Sequence, residues 1–364
     1  MILHFYIAKR FFRAFLIVLA VFISILLPID LAEQAGRIAS TEAGFAAAFE
    51  LALLNLPGAL YEMMPLFVML ATLLMFLGLA RTSELVVIRA AGRSALRTTM
   101  AAVGAALVLG LIGILLINPI VAATQAQYDA SISRYQSGEV RTLSVSAEGL
   151  WLRQGNEERQ TVIRATQANG DGTLLFDSSF FTFTSAGQMQ QRIEGRQAAL
   201  QDGAWVITDA KIWDLTVPNA ETAAVQMNEF VLPSTLTPEQ IRDSFGHPST
   251  VAIYELPSFI NQLNTAGFAA LKHRVWLQME LSTPLMLIAM VLIGAGFTMR
   301  HTRFGRTGLM VLTAILLGFG VFFIRSFAQV LGESGQLPIL IVAWAPPAAA
   351  ILLALGLLLH TEDG

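Results

Sequence analysis

The chain has 364 residues, 55% of them hydrophobic and only 13% charged, and its formal net charge is −3. Soluble domains carry roughly 25% charged residues, so an ordinary water-soluble enzyme is excluded, and the near-neutral balance offers no basic surface for nucleic acid. Absence of cysteine removes disulfides, thiolate metal sites and cysteine nucleophiles.

Six apolar segments appear in chain order: Phe11–Ile29, Gly58–Ala80, Thr98–Ile120, Val275–Met299, Thr307–Gln329 and Pro338–Leu359. Each meets the roughly 20 residues a helix needs to cross a hydrocarbon core about 30 Å thick. Lys9, Arg10 and Arg13 lead the first like a secretion signal, but no small-x-small cleavage site follows, so it reads as a retained anchor. Between the first two spans, Ala43–Asn55 carries apolar residues at helical spacing and reads as a helix at the outer surface, broken at Pro57.

The loop Arg81–Arg93 after the second span reads as a helix of about two turns with both ends marked. Thr82 or Ser83 can cap its first amides, Glu84 suits the positive end of the dipole and Gly92 can terminate it. Leu85 and Ile88 are one turn apart. So short a helix is marginal alone, and two supports are open to it. One is a groove on a partner protein, with Leu85 and Ile88 as anchors and Glu84 and Arg89 at the rim. The other is the lipid head groups, favoured by the loop's arginines.

Between the third and fourth spans, Ala122–Lys272 holds 16 Asp/Glu and 10 Lys/Arg, more than half of all the charges. Over Val140–Leu232 the hydrophobic period shortens to about two, with turn signals at Asn169-Gly170-Asp171-Gly172 and Gln201-Asp202-Gly203. Eight to ten short strands are expected there, as a β-sandwich or jelly roll. Leu236–Arg242 and Leu256–Leu263 read as helical connectors to the fourth span. The three units are therefore 1–121, 122–272 and 273–364: an α-helical membrane protein of 3+3 spans with an inserted all-β domain.

Short-loop bases set the orientation. Lys9, Arg10, Arg13, Arg81, Arg89, Arg93, Arg97, Arg300, Arg303 and Arg306 all fall on one side, while the other side's short loops carry only Arg37. Both termini are expected in the cytoplasm and the β-domain outside. Lys9, Lys211 and Lys272 are preceded by Ala8, Ala210 and Leu271, so no Gly-Lys pair exists for a phosphate-binding loop. Any ATP must be bound by another subunit. The five scattered histidines form no metal-binding spacing, and no Gly-x-Ser-x-Gly elbow exists.

Glu62, Glu280 and Arg325 fall near the outer ends of spans two, four and five. They either snorkel to the interface or face a cavity in which Arg325 binds phosphate and the carboxylates pair with bases or bridging cations. Asp30 to Arg37, at the outer end of span one, offers two acids and the single base Arg37.

Ser83-Glu84-Leu85-Val86-Val87-Ile88 with Ala91-Gly92, the Gly149-Leu150-Trp151 entry to the β-region and the 3+3 layout resemble the LptF/LptG permease family of lipopolysaccharide export, closer to its LptG branch. The resemblance covers essentially the whole chain. It implies an inner-membrane ABC transporter permease that pairs with an LptF-like subunit. Two copies of an LptB-like ATPase would bind the ATP and Mg, with no cofactor expected in this chain. It implies that 81–93 is the coupling helix, with Ser83, Glu84, Leu85, Ile88, Arg89 and Gly92 at the ATPase contact. The β-domain would be a periplasmic jelly roll continuing into an LptC-like and LptA-like bridge. Lipopolysaccharide contacts are implied at Arg134, with Arg37, Glu62, Glu280 and Arg325 as further lipid-facing candidates. The branch often carries lysines at the outer end of span one, where Asp30 to Arg37 offers two acids and one base, so capture of head groups by span one departs from the pattern. The rival reading is a non-transporting anchor or sensor whose β-domain binds an envelope component.

Overall fold

The computed structural model describes residues 2–39, 44–92, 94–137, 144–146, 149–155, 159–169, 172–184, 187–201, 203–234, 236–237, 241, 247–299 and 307–362. The apolar runs become helices α1 (Ile2–Arg37), α2 (Phe45–Glu62), α3 (Met64–Arg81), α4 (Glu84–Ala90), α5 (Ala95–Ile112) and α6 (Asn118–Ser137). A π-helical turn, Gly113–Ile117, joins α5 to α6. After the strands follow α7 (Leu256–Thr265), α8 (Leu271–Thr298), α9 (Thr307–Glu333) and α10 (Ile339–Glu362). Among the described residues, six helical stretches are long and apolar enough to cross a membrane.

The chain divides into two compact units, one of residues 1–136, 249–253 and 271–364, the other of 137–248 and 254–270. The first break falls at 136 rather than 121, because α6 continues helically well beyond the third apolar run.

In the helical unit α8 is the hub, packed against α3, α5, α9 and α10. Its Met286, Leu287, Met290, Val291 and Ile293 are fully buried with Phe67, Met69 and Phe76 of α3. Close approach depends on missing side chains. A Cβ on Gly110 of α5 would stand 2.8 Å from the Pro284 Cα of α8. By contrast, α9 leaves Leu312, Leu316, Phe319, Phe323 and Phe327 exposed, the surface a helix presents to lipid.

The helix before the second span is not broken at Pro57. α2 runs through that proline, and the break comes at Met63, which ends α2 and begins α3. Pro65 lies in the first turn of α3, where its missing N–H leaves no hydrogen bond unmade. Of the two prolines, the later one marks the boundary.

The second unit is one antiparallel sheet, β1 (Ser144–Ser146), β2 (Gly149–Gly155), β3 (Arg159–Ala168), β4 (Leu174–Thr184), β5 (Met189–Gln201), β6 (Ala204–Asp214) and β7 (Val225–Pro233), in sequential order. Each strand pairs with its chain neighbour, whereas a jelly roll needs crossovers between two sheets; the described strands form a meander of seven. Leu152, Ile163, Phe180 and Ile193 stand opposite one another across β2 to β5 and are buried as a single row. Seven strands are described where eight to ten were expected, and two runs that read separately in the sequence belong to one strand, because a left-handed residue shifts the alternation. Asp209 (φ 54) sits between inward Ile207 and inward Ala210, so Trp205–Ile207 and Ile212–Asp214 are one strand. Asp177 (φ 46) does the same between Leu175 and Ser178 in β4. The connector α7 packs on the sheet unit's chain through Gly267, whose φ of +91 and 2.0 Å Cβ clearance from the Ala168 carbonyl admit only glycine. The expected helix at Leu236–Arg242 falls largely outside the described residues, as do Arg93, Arg300, Arg303 and Arg306.

Candidate functional site

α4 begins where Ser83 turns the chain. Ser83 has φ 60, and its amide donates to the Ala80 carbonyl at 3.1 Å, closing the end of α3. Its own carbonyl then accepts from Val86 and Val87, opening α4. Ser83 is thus a backbone pivot between two helices; its side chain is not the expected cap. Gly92 has φ +73, the left-handed conformation that ends a helix.

The two faces of α4 are sorted opposite to the simplest expectation. Leu85 and Ile88 are each only 8% exposed, and Leu85 belongs to the helical unit's own core. Val86 at 60% and Val87 at 68% point out. The anchors expected for a partner therefore hold α4 to its own molecule, because the unit buries the i, i+3 stripe against its membrane helices. The Arg89 side chain is outside the described ones.

Glu84 is drawn inward as well. The Tyr6 hydroxyl donates to Oε2 at 2.6 Å; Arg10 Nη2 and Thr82 Oγ1 donate to Oε1 at 2.7 and 2.8 Å. Arg10 also stacks its guanidinium 5.0 Å from the centre of the Tyr6 ring. These contacts hold the Glu84 carboxyl below its ordinary range, first through the Tyr6 hydroxyl; partial burial opposes, while Thr82 and Arg10 assist. In the sequence Tyr6 and Arg10 stand out only through the basic lead of span one and their i, i+4 spacing, which puts them on one helix face.

A second polar cluster lies at the end of α3 away from α4. Tyr61 donates to Glu280 Oε2 at 2.6 Å, and Asn118 stands beside both. Asn118 Oδ1 in turn accepts from the Ile253 amide at 2.9 Å. Arg325 Nη2 donates to the Met279 carbonyl at 3.2 Å and to Thr283 Oγ1 at 3.1 Å. Glu280 is 5% exposed. Glu280 thus joins α8 to α2 and Arg325 Nη2 joins α9 to α8, while Arg325 Nε is buried without a partner; a cavity-facing set was one expectation for these residues. Glu62, the last residue of α2, is exposed.

Arg37, the last residue of α1, donates to Tyr128 at 3.2 Å and to Glu33 at 2.8 Å. The Tyr128 hydroxyl donates to Gln34 Oε1, and Gln34 and Asn55 both donate to Asp30 Oδ1. This network ties the end of α1 to the middle of α2 and to α6. Arg134, on the last turn of α6, is exposed. No group of acids and histidines among the described residues is placed to hold a metal ion.

Comparison with known proteins adds a relation to these geometries. The sequence model of the family described as "Lipopolysaccharide export system permease LptF/LptG" matches residues 5–360. Two curated relatives, the lipopolysaccharide export system permease protein LptG of Escherichia coli K12 and that of Escherichia coli O6:H1 strain CFT073, are each 24% identical over 357 residues. The alignment covers 98% of this chain and 97% of each relative.

Proposed function

The chain belongs to the LptF/LptG family of lipopolysaccharide export permeases, a multi-pass membrane protein by its helices, and on that premise we propose that it is one half of a heterodimeric ABC transporter permease, partnered by an LptF-like subunit. It extracts lipopolysaccharide from the inner membrane and passes it to LptC-like and LptA-like bridge proteins. An LptB-like ATPase dimer binds the ATP and Mg, and no covalent step occurs in this chain. The ten one-sided bases put both termini and α4 in the cytoplasm, with the sheet in the periplasm.

One observation carries the coupling assignment: α4 is fastened by Leu85 and Ile88 to the membrane helices while it offers Val86 and Val87 outward. A helix held from behind and apolar in front suits force transfer from a docked partner. Lipid head groups meet the chain first at Arg134 and Glu62, both exposed, whereas Arg37, Glu280 and Arg325 brace the helices that surround the lipid.

The test is reconstitution with the partner permease, ATPase and bridge proteins in lipopolysaccharide-loaded proteoliposomes. Val86→Asp with Val87→Asp should abolish ATPase co-purification and with it ATP-dependent lipid release. Normal co-purification in that variant would refute the docking face. Absence of ATP-dependent release by the unmodified complex would favour an anchor or sensor.

A further inference from the structure

We propose that Glu84 is a positioning residue that ties the cytoplasmic helix to the base of span one, so that motion of α4 reaches α1 directly as well as through α3. The inference rests on the coupling role of α4 proposed above. It deepens that role by naming which span is driven.

Both carboxylate oxygens of Glu84 are engaged inside the chain. Tyr6 and Arg10 of α1 hold one oxygen each, and Thr82 shares the second. Tyr6 and Arg10 brace each other across one helical turn, with the guanidinium over the ring. A carboxylate offers about four acceptor positions, and three of them are already filled. One acceptor position stays open and the side chain is 30% exposed, so the tie to α1 leaves room for a partner's base beside the outward Val86 and Val87.

The connection of α4 to α3 gives the tether its purpose. Ser83 is a single left-handed residue at which the chain turns from α3 into α4. The inward residues Leu85 and Ile88 supply non-directional packing. The Glu84 hydrogen bonds are directional, so they fix how α4 is set after that turn and connect it to a helix 74 to 78 residues earlier in the chain. In α1 the apolar residues Leu16, Ile17, Val21, Ile25 and Ile29 are exposed, while Ile7, Phe11, Phe15 and Val18 on the opposite face are buried in the helical unit's core, so displacement at its Tyr6–Arg10 end is passed to the helices it packs on.

The test uses the reconstituted complex and three readouts: ATPase co-purified, ATP hydrolysed, and lipopolysaccharide released per ATP. Tyr6→Phe with Arg10→Met should leave co-purification and hydrolysis essentially unchanged while release per ATP falls about fivefold or more, the low end of ordinary coupling factors. Tyr6→Phe alone, which keeps the ring, should give a smaller fall in the same direction. Exchange of the charges, Arg10→Glu with Glu84→Arg, should recover part of the release lost in Arg10→Glu alone. Unchanged release per ATP in the Tyr6/Arg10 pair would overturn the tether. So would a loss of co-purified ATPase equal to that of the Val86/Val87 pair, which would make Glu84 part of the docking surface. If the Val86/Val87 pair keeps its ATPase, the docking reading fails separately.

Discussion

Glu84 loses proton affinity chiefly because the Tyr6 hydroxyl donates to it. A carboxyl whose folded value lies below its ordinary 4.5 stabilises the fold above that value and loses the contribution as pH falls through the lowered one. Acidification from neutrality should therefore leave the α1–α4 tie intact until the pH drops below about 4.5. Thermal midpoints of wild type and Tyr6→Phe should differ by a constant amount above that pH and converge below it. The energy involved is small, since the Arg10–Glu84 pair is about one-third exposed and such pairs contribute about 0–1 kcal/mol; its value is directional. Tyr61 is the opposite case. It donates to a carboxylate buried between helices, and Tyr61→Phe should cost about 1–3 kcal/mol by leaving Glu280 one donor short, read as a lowered midpoint in detergent.

At the scale of elements, α8 can be central because α5 presents glycine where the two backbones meet. Gly110→Leu would drive a side chain into Pro284, whose Cα is 2.8 Å from the new Cβ, and should destabilise by about 1–3 kcal/mol through overpacking. Reduced thermal stability with a preserved fold, seen by melting and gel filtration, checks it. Strands β4 and β6 show how one residue alters an element's appearance in sequence. A left-handed Asp177 or Asp209 changes which parity faces inward, so a strict period-two reading divides one strand into two. In α2, Pro57 is tolerated inside the helix while Pro65 starts the next one. Proline in a helical pattern signals a boundary only when its missing N–H falls in a first turn.

For the whole molecule, long apolar runs and the charge-rich central block were enough to separate a helical unit from a sheet unit, because the bilayer sets helix length and water demands charge. The short helix after the second span and its terminating Gly92 were legible for the same local reasons. Long-range pairing was not legible. Glu84 reaches Tyr6 and Arg10, Tyr61 reaches Glu280 across 219 residues, and Arg325 turns back to α8. Spacing along a helix tells which residues share a face, not which neighbour that face meets. Composition and periodicity thus determined the class, the spans and the expected side of each loop. Only the tertiary structure decided that Leu85 and Ile88 face inward, that Val86 and Val87 face outward, and that Glu84 and Glu280 bond to distant residues of their own chain, since burial depends on how distant helices pack.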